Sequence, residues 1–111
     1  MRVEDQGKLL RIYVDEGARH EGQLLYEAIV EHCLDAGMGG ATVLRGVQGY
    51  GSGHRIHKAG VLRLSADLPI VIEVADSPER IDAVLPELEK MIGNGLITEE
   101  KVKMIRIVSD E

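Results

Sequence analysis

Strand and helix patterns alternate along this chain in an order that only a few topologies can satisfy. Stretches rich in β-branched and aliphatic residues predict strands, whereas apolar residues spaced three and four positions apart predict helices. The predicted strands cover residues 8–14, 41–47, 61–66 continued by 69–74, and 102–108. The predicted helices cover residues 22–36 and the stretch between Ser77 and Gly93. The order is therefore strand, helix, strand, strand, helix, strand.

This order predicts one α+β domain that spans residues 1–111. Each strand-helix-strand half must cross over right-handedly, which places both helices on one face of a four-stranded antiparallel sheet. The predicted fold is the ferredoxin-like βαββαβ sandwich. The opposite sheet face needs a cover, and its candidate residues are Leu9, Tyr13, Val71, Val102 and Met104. If that face is apolar, a symmetric oligomer is the usual way to exclude water from it.

Local signals predict where the helices begin and end. Gly37 is suited to the position just after the first helix, and Ser77 followed by proline is suited to the start of the second. Pro86 lies inside the second helical pattern and is expected to kink the helix. A bulge or bend is expected near Asp67, where the third strand pattern is interrupted.

The composition argues against several classes of protein. The chain has a net charge of −6, no Trp or Phe, and three Tyr. An acidic surface disfavours duplex nucleic acid, and scarce aromatic residues disfavour stacking on single strands. No apolar run is long enough to span a bilayer, and no signal peptide is evident. The single cysteine, Cys33, fits a reducing compartment, so a cytoplasmic location is expected.

A window between Asp35 and Asp67 contrasts with the acidic chain. It contains no acidic residue but four basic ones and eight glycines. Bare backbone amides beside fixed positive charge can hold a phosphate or another small anion. A solvated basic loop is the alternative, and the glycine spacing favours an anion site.

Two glycine clusters carry this hypothesis. In the stretch from Gly49 to Arg55 the third glycine comes too early for a dinucleotide fingerprint, and no Walker lysine follows. An anion-binding loop and a plain hairpin tip both remain open. The second cluster, Gly93-Asn94-Gly95, is also explained by a helix cap followed by a turn.

No catalytic constellation is evident, so an enzyme is not predicted. His54 and His57 form an H-x-x-H pair, yet no nearby carboxylate or thiol completes a metal site. No nucleophile motif such as G-x-S-x-G occurs. The carboxylates of Asp15 and Glu16 follow a predicted strand and are expected to be solvated.

Several motifs together resemble the PII signal-transduction proteins. The stretch Gly37-Met38-Gly39-Gly40-Ala41-Thr42-Val43, the Gly49-Tyr50-Gly51 triplet and the Gly53-His54 pair are similar to their first helix end, second strand and loop. Gly93-Asn94-Gly95-Leu96-Ile97 resembles their G-D-G-K-I turn, and Met104-Ile105-Arg106-Ile107 resembles their V-I-R-I final strand. Residues 40–51 also reproduce G-A-T-V-x-R-G-x-x-G-Y-G, which is typical of a PII-like branch of bacteria and archaea.

The resemblance implies a homotrimer that binds an adenine nucleotide in the clefts between its subunits. Gly40, Ala41 and Thr42 would line the adenine pocket, and Gly49 and Gly51 would approach the phosphates. Gly93, Asn94 and Gly95 would meet the phosphates from the other side, and Arg106 would pair with one of them. Gly53 belongs to the same loop. No cofactor is required on this interpretation, and the nucleotide acts as an effector.

Departures from the PII pattern modify the expected ligand. Leu96 replaces the lysine of the turn, and Val108 replaces a second arginine of the last strand. Arg45, Arg55, His54 and Lys58 are the candidates to replace the lost charge. The expected effector is therefore ADP or AMP, or another small anion, rather than ATP.

Two functions from different classes follow. In the first, the ligand orders the loop of residues 46–60, which signals to a target protein such as a membrane transporter or an enzyme. The alternative is a trimeric metal-handling protein that resembles the CutA-type cation-tolerance proteins, with His54, His57 and His20 as ligands. Neither function involves nucleic acid or direct insertion into a membrane.

Overall fold

The computed structural model describes residues 1–51, 56–58 and 68–110 of the chain. The strands are β1 (Arg2–Asp15), β2 (Arg19–His20), β3 (Gln23–Leu24), β4 (Thr42–Arg45), β5 (Gln48–Gly49), β6 (His57–Lys58), β7 (Pro69–Asp76) and β8 (Leu96–Ile107). The helices are α1 (Leu25–Asp35) and α2 (Pro78–Met91). The predicted strand over residues 61–66 and the bend at Asp67 lie outside the described residues.

The main sheet has the strand order β4-β7-β1-β8, and every neighbouring pair is antiparallel. This order is the one that a ferredoxin-like βαββαβ chain produces, so the predicted fold class is confirmed. The core lies between the sheet and the two helices. It is formed by alternate residues of β1 and β7 and by the apolar stripes of the helices: Leu10, Ile12, Val14, Ile70, Ile72, Val74, Leu25, Ile29, Cys33, Ile81, Val84 and Leu88.

The first helix is shorter than predicted because the chain turns just before it. Glu21 and Gly22 have φ values of 50° and 82°, and they connect β2 to β3. The predicted stop at Gly37, whose φ is 79°, is confirmed. The N–H of Gly37 donates to the carbonyl of Leu34 at 3.0 Å, and the N–H of Met38 donates to that of Cys33 at 3.0 Å. This is the Schellman arrangement, in which the left-handed residue is usually glycine.

The predicted start of the second helix is also confirmed. The Ser77 hydroxyl accepts a hydrogen bond from the backbone N–H of Arg80 at 3.3 Å, and Pro78 occupies the first turn. The helix continues past Pro86 without interruption, from Pro78 to Met91.

The first and last strands are longer than predicted. β1 begins at Arg2 and β8 begins at Leu96, because the two strands pair from Arg2↔Ile107 to Tyr13↔Leu96. β7 reaches only as far as Lys8, so residues 2–7 of β1 pair with β8 alone. Residues 2–7 of β1 carry no apolar alternation, so they gave no strand signal, whereas their partners in β8 fall within the predicted strand over residues 102–108.

The sheet face opposite the helices carries the residues predicted for it. In β1, the odd-numbered residues from Leu9 to Tyr13 point to this face. The strand register places the predicted residues there: Leu9, Tyr13, Val71, Val102 and Met104. Arg11 lies at its centre, where its Nε is 3.0 Å from Glu73 and its Nη1 pairs with Glu100. At its centre the face therefore combines apolar residues with a cation whose charge two carboxylates compensate. Within the described ranges, no helix is both long and apolar enough to span a membrane.

Candidate functional site

Two clefts of the chain contain most of the predicted binding residues that the structure describes. The first, which we name the Tyr13 cleft, has a volume of about 340 Å³. Its walls include Tyr13, Gly49, Tyr50, Gly51, Asn94 and Gly95. The second, the Arg106 cleft, has a volume of about 490 Å³, and its walls include Gly39, Gly40, Thr42, Asp76 and Arg106. The two linings have no residue in common.

The Tyr13 cleft is formed by close approach of backbone segments. A Cβ atom on Gly95 would lie 2.8 Å from the carbonyl oxygen of Tyr13 and 2.9 Å from Cγ2 of Ile92. Gly46 and Gly49 pack in the same way on Pro69, because their Cβ atoms would lie 2.8 Å and 3.1 Å from its Cγ. Distances under 3.0 Å exclude a side chain unless something moves, so the wall at Gly95 and the packing of Gly46 on the Pro69 ring beside the cleft depend on glycine.

The Arg106 cleft is formed around the turn that ends α1. The N–H of Gly39 donates to the carboxylate of Asp76 at 2.8 Å, and the N–H of Ser77 donates to the same carboxylate at 2.7 Å. Arg80 donates from Nη1 to the carbonyl of Gly37 at 3.0 Å. The start of α2 therefore holds the glycine turn that leads into Gly40 and Thr42.

Asp76 is a buried carboxylate at the wall of this cleft. Burial raises its pKa, but other effects outweigh burial and hold the pKa below its usual value. These effects are the two backbone hydrogen bonds and the positive charges of Arg80 and Arg106. The side chain is therefore an acceptor-only group close to Arg106.

The structure divides the predicted nucleotide residues between the two clefts. Gly40, Thr42 and Arg106 line the Arg106 cleft, whereas Gly49, Gly51, Asn94 and Gly95 line the Tyr13 cleft. Ala41 is half-buried against the core, and Gly93 is exposed beside the Tyr13 cleft without lining it. Gly53, His54 and Arg55 lie outside the described residues.

Arg45 has a partner that its sequence position did not indicate. Its Nη2 lies 2.5 Å from Oε2 of Glu16, and Arg45 is absent from the walls of both clefts. The expectation that Glu16 is solvated is wrong, because the residue is only 4% exposed. The signal was present in the sequence: Leu10, Ile12 and Val14 alternate toward the core, and position 16 continues that alternation.

Asp76 and the two tyrosines of the Tyr13 cleft were also not predicted as site residues. Asp76 follows the β7 alternation of Ile70, Ile72 and Val74, which places it at the core face beside the start of α2. Tyr13 was predicted only as a residue of the open sheet face. Its contribution to the cleft depends on the turn of Asn94 and Gly95, which is distant in sequence.

The metal-site alternative concerns residues whose side chains lie mostly outside the described part of the chain. Among the described residues, no group of three His, Cys, Asp or Glu side chains is placed to hold a metal ion. His20 lies with its Nε2 3.8 Å from a carboxylate oxygen of Glu21. The proposed role of His54 and His57 as ligands stays a prediction.

Comparison with known proteins identifies the family. A family model described as DUF190, uncharacterized ACR, COG1993, matches residues 7–104. A UPF0166 protein of Aquifex aeolicus (strain VF5) is 41% identical over 105 residues, which cover 95% of this chain and 98% of the relative. UPF0166 protein MJ1524 of Methanocaldococcus jannaschii is 42% identical over 93 residues, or 83% of this chain and 85% of the relative. The chain belongs to this DUF190 family.

Solved structures place the fold among the PII-like proteins. CPII from Thiomonas intermedia K12, determined bound to ADP and bicarbonate, matches with a TM-score of 0.64 and 20% identity, covering 92% of this chain and 91% of CPII. The PII-like signaling protein TTHA0516 of Thermus thermophilus matches with a TM-score of 0.66 and 20% identity, covering 91% of each chain. The predicted resemblance to PII-like proteins is thereby confirmed at the level of the fold.

Proposed function

We propose that this protein is a non-enzymatic PII-like sensor whose homotrimer binds an adenine nucleotide between neighbouring protomers. The observation that carries the proposal is the division of the motif residues between two open clefts of one chain. Each cleft supplies part of the set that the PII resemblance assigns to one nucleotide. CPII, which has a similar fold, has been determined with ADP bound.

The two clefts lie at different places along β1 of one chain. Leu9 lines the Arg106 cleft and Tyr13 lines the Tyr13 cleft, four residues apart on β1. At about 3.3 Å per residue, these positions are about 13 Å apart along the strand. A closed ring of protomers would bring the Tyr13 cleft of one chain to the Arg106 cleft of the next.

The open sheet face supports the trimer. Its apolar residues surround an Arg11 side chain that is already paired with Glu73 and Glu100, so burying the face would cover a compensated charge. An unpaired Arg11 would make that burial costly. In the proposed trimer, the three sheets face one another and the helices remain outside.

The charges of the walls support ADP or AMP rather than ATP. Arg106 is the one basic residue among the described lining residues of the two clefts, which also include Asp15, Glu73 and Asp76. Backbone N–H groups of the glycine clusters would supply the remaining donors to phosphate. Each added phosphate group increases the negative charge without adding a cationic partner.

The proposed signal passes through the loop of residues 46–60. Gly49, Tyr50 and Gly51 form one wall of the Tyr13 cleft, so a ligand there contacts the start of that loop. Binding would favour one loop conformation over others, and the favoured conformation would be presented to a target protein, a transporter or an enzyme. An ADP-dependent increase in the hydrogen-exchange protection of residues 49–51 is expected.

Calorimetric titration and thermal shift with AMP, ADP, ATP and GDP test the proposal directly. A ligand that binds only the folded trimer raises its melting temperature. We expect ADP or AMP to bind with one site per chain and ATP to bind more weakly. GDP is the control for recognition of the adenine base. Light scattering should give the mass of a trimer. A monomer, or no stabilisation by any adenine nucleotide at millimolar concentration, would contradict the proposal.

A further inference from the structure

Glu16 is a buried carboxylate held by two groups. Its Oε2 lies 2.5 Å from Nη2 of Arg45, and its Oε1 accepts a hydrogen bond from the backbone N–H of Leu68 at 3.3 Å. A buried carboxylate without partners is costly, so these contacts are needed for Glu16 to occupy this position. The same ion pair engages the guanidinium of Arg45.

The two partners of Glu16 flank one segment of the chain. Arg45 is the last residue of β4, and Leu68 immediately precedes β7. The backbone joins the same points: the N–H of Glu16 donates to the carbonyl of Leu68 at 3.0 Å, and the N–H of Gly46 donates to that of Pro69 at 2.8 Å. One carboxylate therefore ties together the departure and the return of the chain between β4 and β7.

This junction adjoins the Tyr13 cleft. Asp15, next to Glu16, lines the cleft, and so does Pro69, next to Leu68. Gly46 and Gly49 pack on the Pro69 ring, and Gly49 begins the glycine wall of the cleft. A shift of Arg45 or Leu68 would therefore move the wall that the proposed nucleotide contacts.

We infer that Glu16 and Arg45 are a positioning pair for the nucleotide site, and that Arg45 affects affinity through Glu16 rather than by touching the phosphate. The inference rests on the proposed function for its binding readout. It replaces the sequence-based expectation that Arg45 supplies charge to the ligand. Arg106 then remains the basic contact among the described lining residues.

A double-mutant cycle tests the inference. The variants are Glu16→Gln, Arg45→Met, the double variant, and Arg45→Lys, which keeps the charge. The control is Arg19→Met, because Arg19 is exposed and lines neither cleft. ADP affinity is measured at low and high salt, and the exchange of the Gly46 and Leu68 amides is measured without nucleotide. Glu16→Gln retains an acceptor for Leu68 but removes the charge that attracts Arg45.

We expect each of Glu16→Gln and Arg45→Met to weaken ADP binding by about two- to tenfold, with the double variant no weaker than Arg45→Met alone. The salt dependence should stay that of the wild type, and both amides should exchange faster in both variants. Arg45→Lys and Arg19→Met should remain near the wild type.

Two results would overturn the inference. One is an Arg45→Met loss of ADP affinity that is equally large in the Glu16→Gln background and is accompanied by a weaker salt dependence of binding. That result would indicate direct contact between Arg45 and the phosphate. The other is unchanged exchange at Gly46 and Leu68. Because exchange is measured without nucleotide, failure of the wild type to bind ADP would reject the proposed function while the exchange result still decides the role of the pair.

Discussion

The Tyr13 cleft and the Arg106 cleft lie on one sheet but are held open by different forces. The Tyr13 cleft depends on backbone that approaches too closely for a side chain at Gly95, and beside the cleft Gly46 packs as closely on the Pro69 ring. The Arg106 cleft depends on a buried carboxylate and an arginine that fix the turn between α1 and β4. The first cleft should therefore be sensitive to added volume, whereas the second should be sensitive to charge and pH.

The largest expected effect is from added volume at Gly95. Gly95→Ala should lower the free energy of unfolding by about 3 kcal/mol, because the new methyl group would meet the backbone oxygen of Tyr13 and the side chain of Ile92. Gly93→Ala is the matched control, since a Cβ there meets nothing within 4 Å. Denaturant unfolding measures both. Equal effects at the two positions would remove the argument that close packing forms the Tyr13 cleft.

Removing the cation of the Arg106 cleft should weaken binding without unfolding the protein. Arg106→Ala is expected to cost about 2 kcal/mol in ADP affinity, which is roughly thirtyfold, as for one charged hydrogen bond. Lys103→Ala is the control on the same strand, because Lys103 points to the opposite sheet face and pairs with Glu4. Calorimetry measures both affinities. A larger loss of ADP affinity with Lys103→Ala would place the phosphate on the sheet face opposite to Arg106 and contradict the prediction.

A smaller effect with a defined pH dependence is expected at Asp76. Its pKa is lowered in the folded state, so its ionised form stabilises the protein above the unfolded pKa of about 3.9, and that contribution is lost as the pH falls through the folded pKa. Asp76→Asn should cost about 1.5 kcal/mol near neutral pH. The difference in the free energy of unfolding between the wild type and Asp76→Asn should decrease below about pH 4.

Denaturant unfolding at a series of pH values measures this difference in the free energy of unfolding. A difference between wild type and Asp76→Asn that stayed constant down to about pH 2 would mean that the charge of Asp76 is not what holds the Gly39 turn. The Tyr13 cleft provides the comparison, because the effect of Gly95→Ala should not follow this titration.

Local signals explain how much of the fold could be predicted. The element order, the Gly37 stop and the Ser77 start are set by residues close in sequence, and the structure confirms them. The first halves of β1 and β8 were missed, because residues 2–7 and 96–101 are held as strands by the pairing of β1 with β8 rather than by an apolar alternation of their own.

The candidate site was predictable in composition but not in arrangement. The motif predicted glycines and Arg106 as binding residues, which stays a prediction, and their division between two clefts depends on the packing of distant segments. The partnership of Glu16 with Arg45 has the same origin. Position 16 could be assigned to the core face by alternation, but nothing local indicates which cation reaches it.

The central claim, that one nucleotide site is shared by two chains, is tested most directly by mixing two blocked variants. A Cβ on Gly40 or on Gly51 meets nothing within 4 Å, so Gly40→Leu and Gly51→Leu should each fill one cleft without clashing within the chain. Gly93→Leu is the matched control outside both linings. Native mass spectrometry verifies that the subunits of the two blocked variants have exchanged.

We predict that neither blocked homotrimer binds ADP and that the exchanged mixture recovers about a quarter of the wild-type sites, as random pairing in a closed ring requires. A mixture that binds no ADP after verified exchange would place the whole site within one chain and contradict the account.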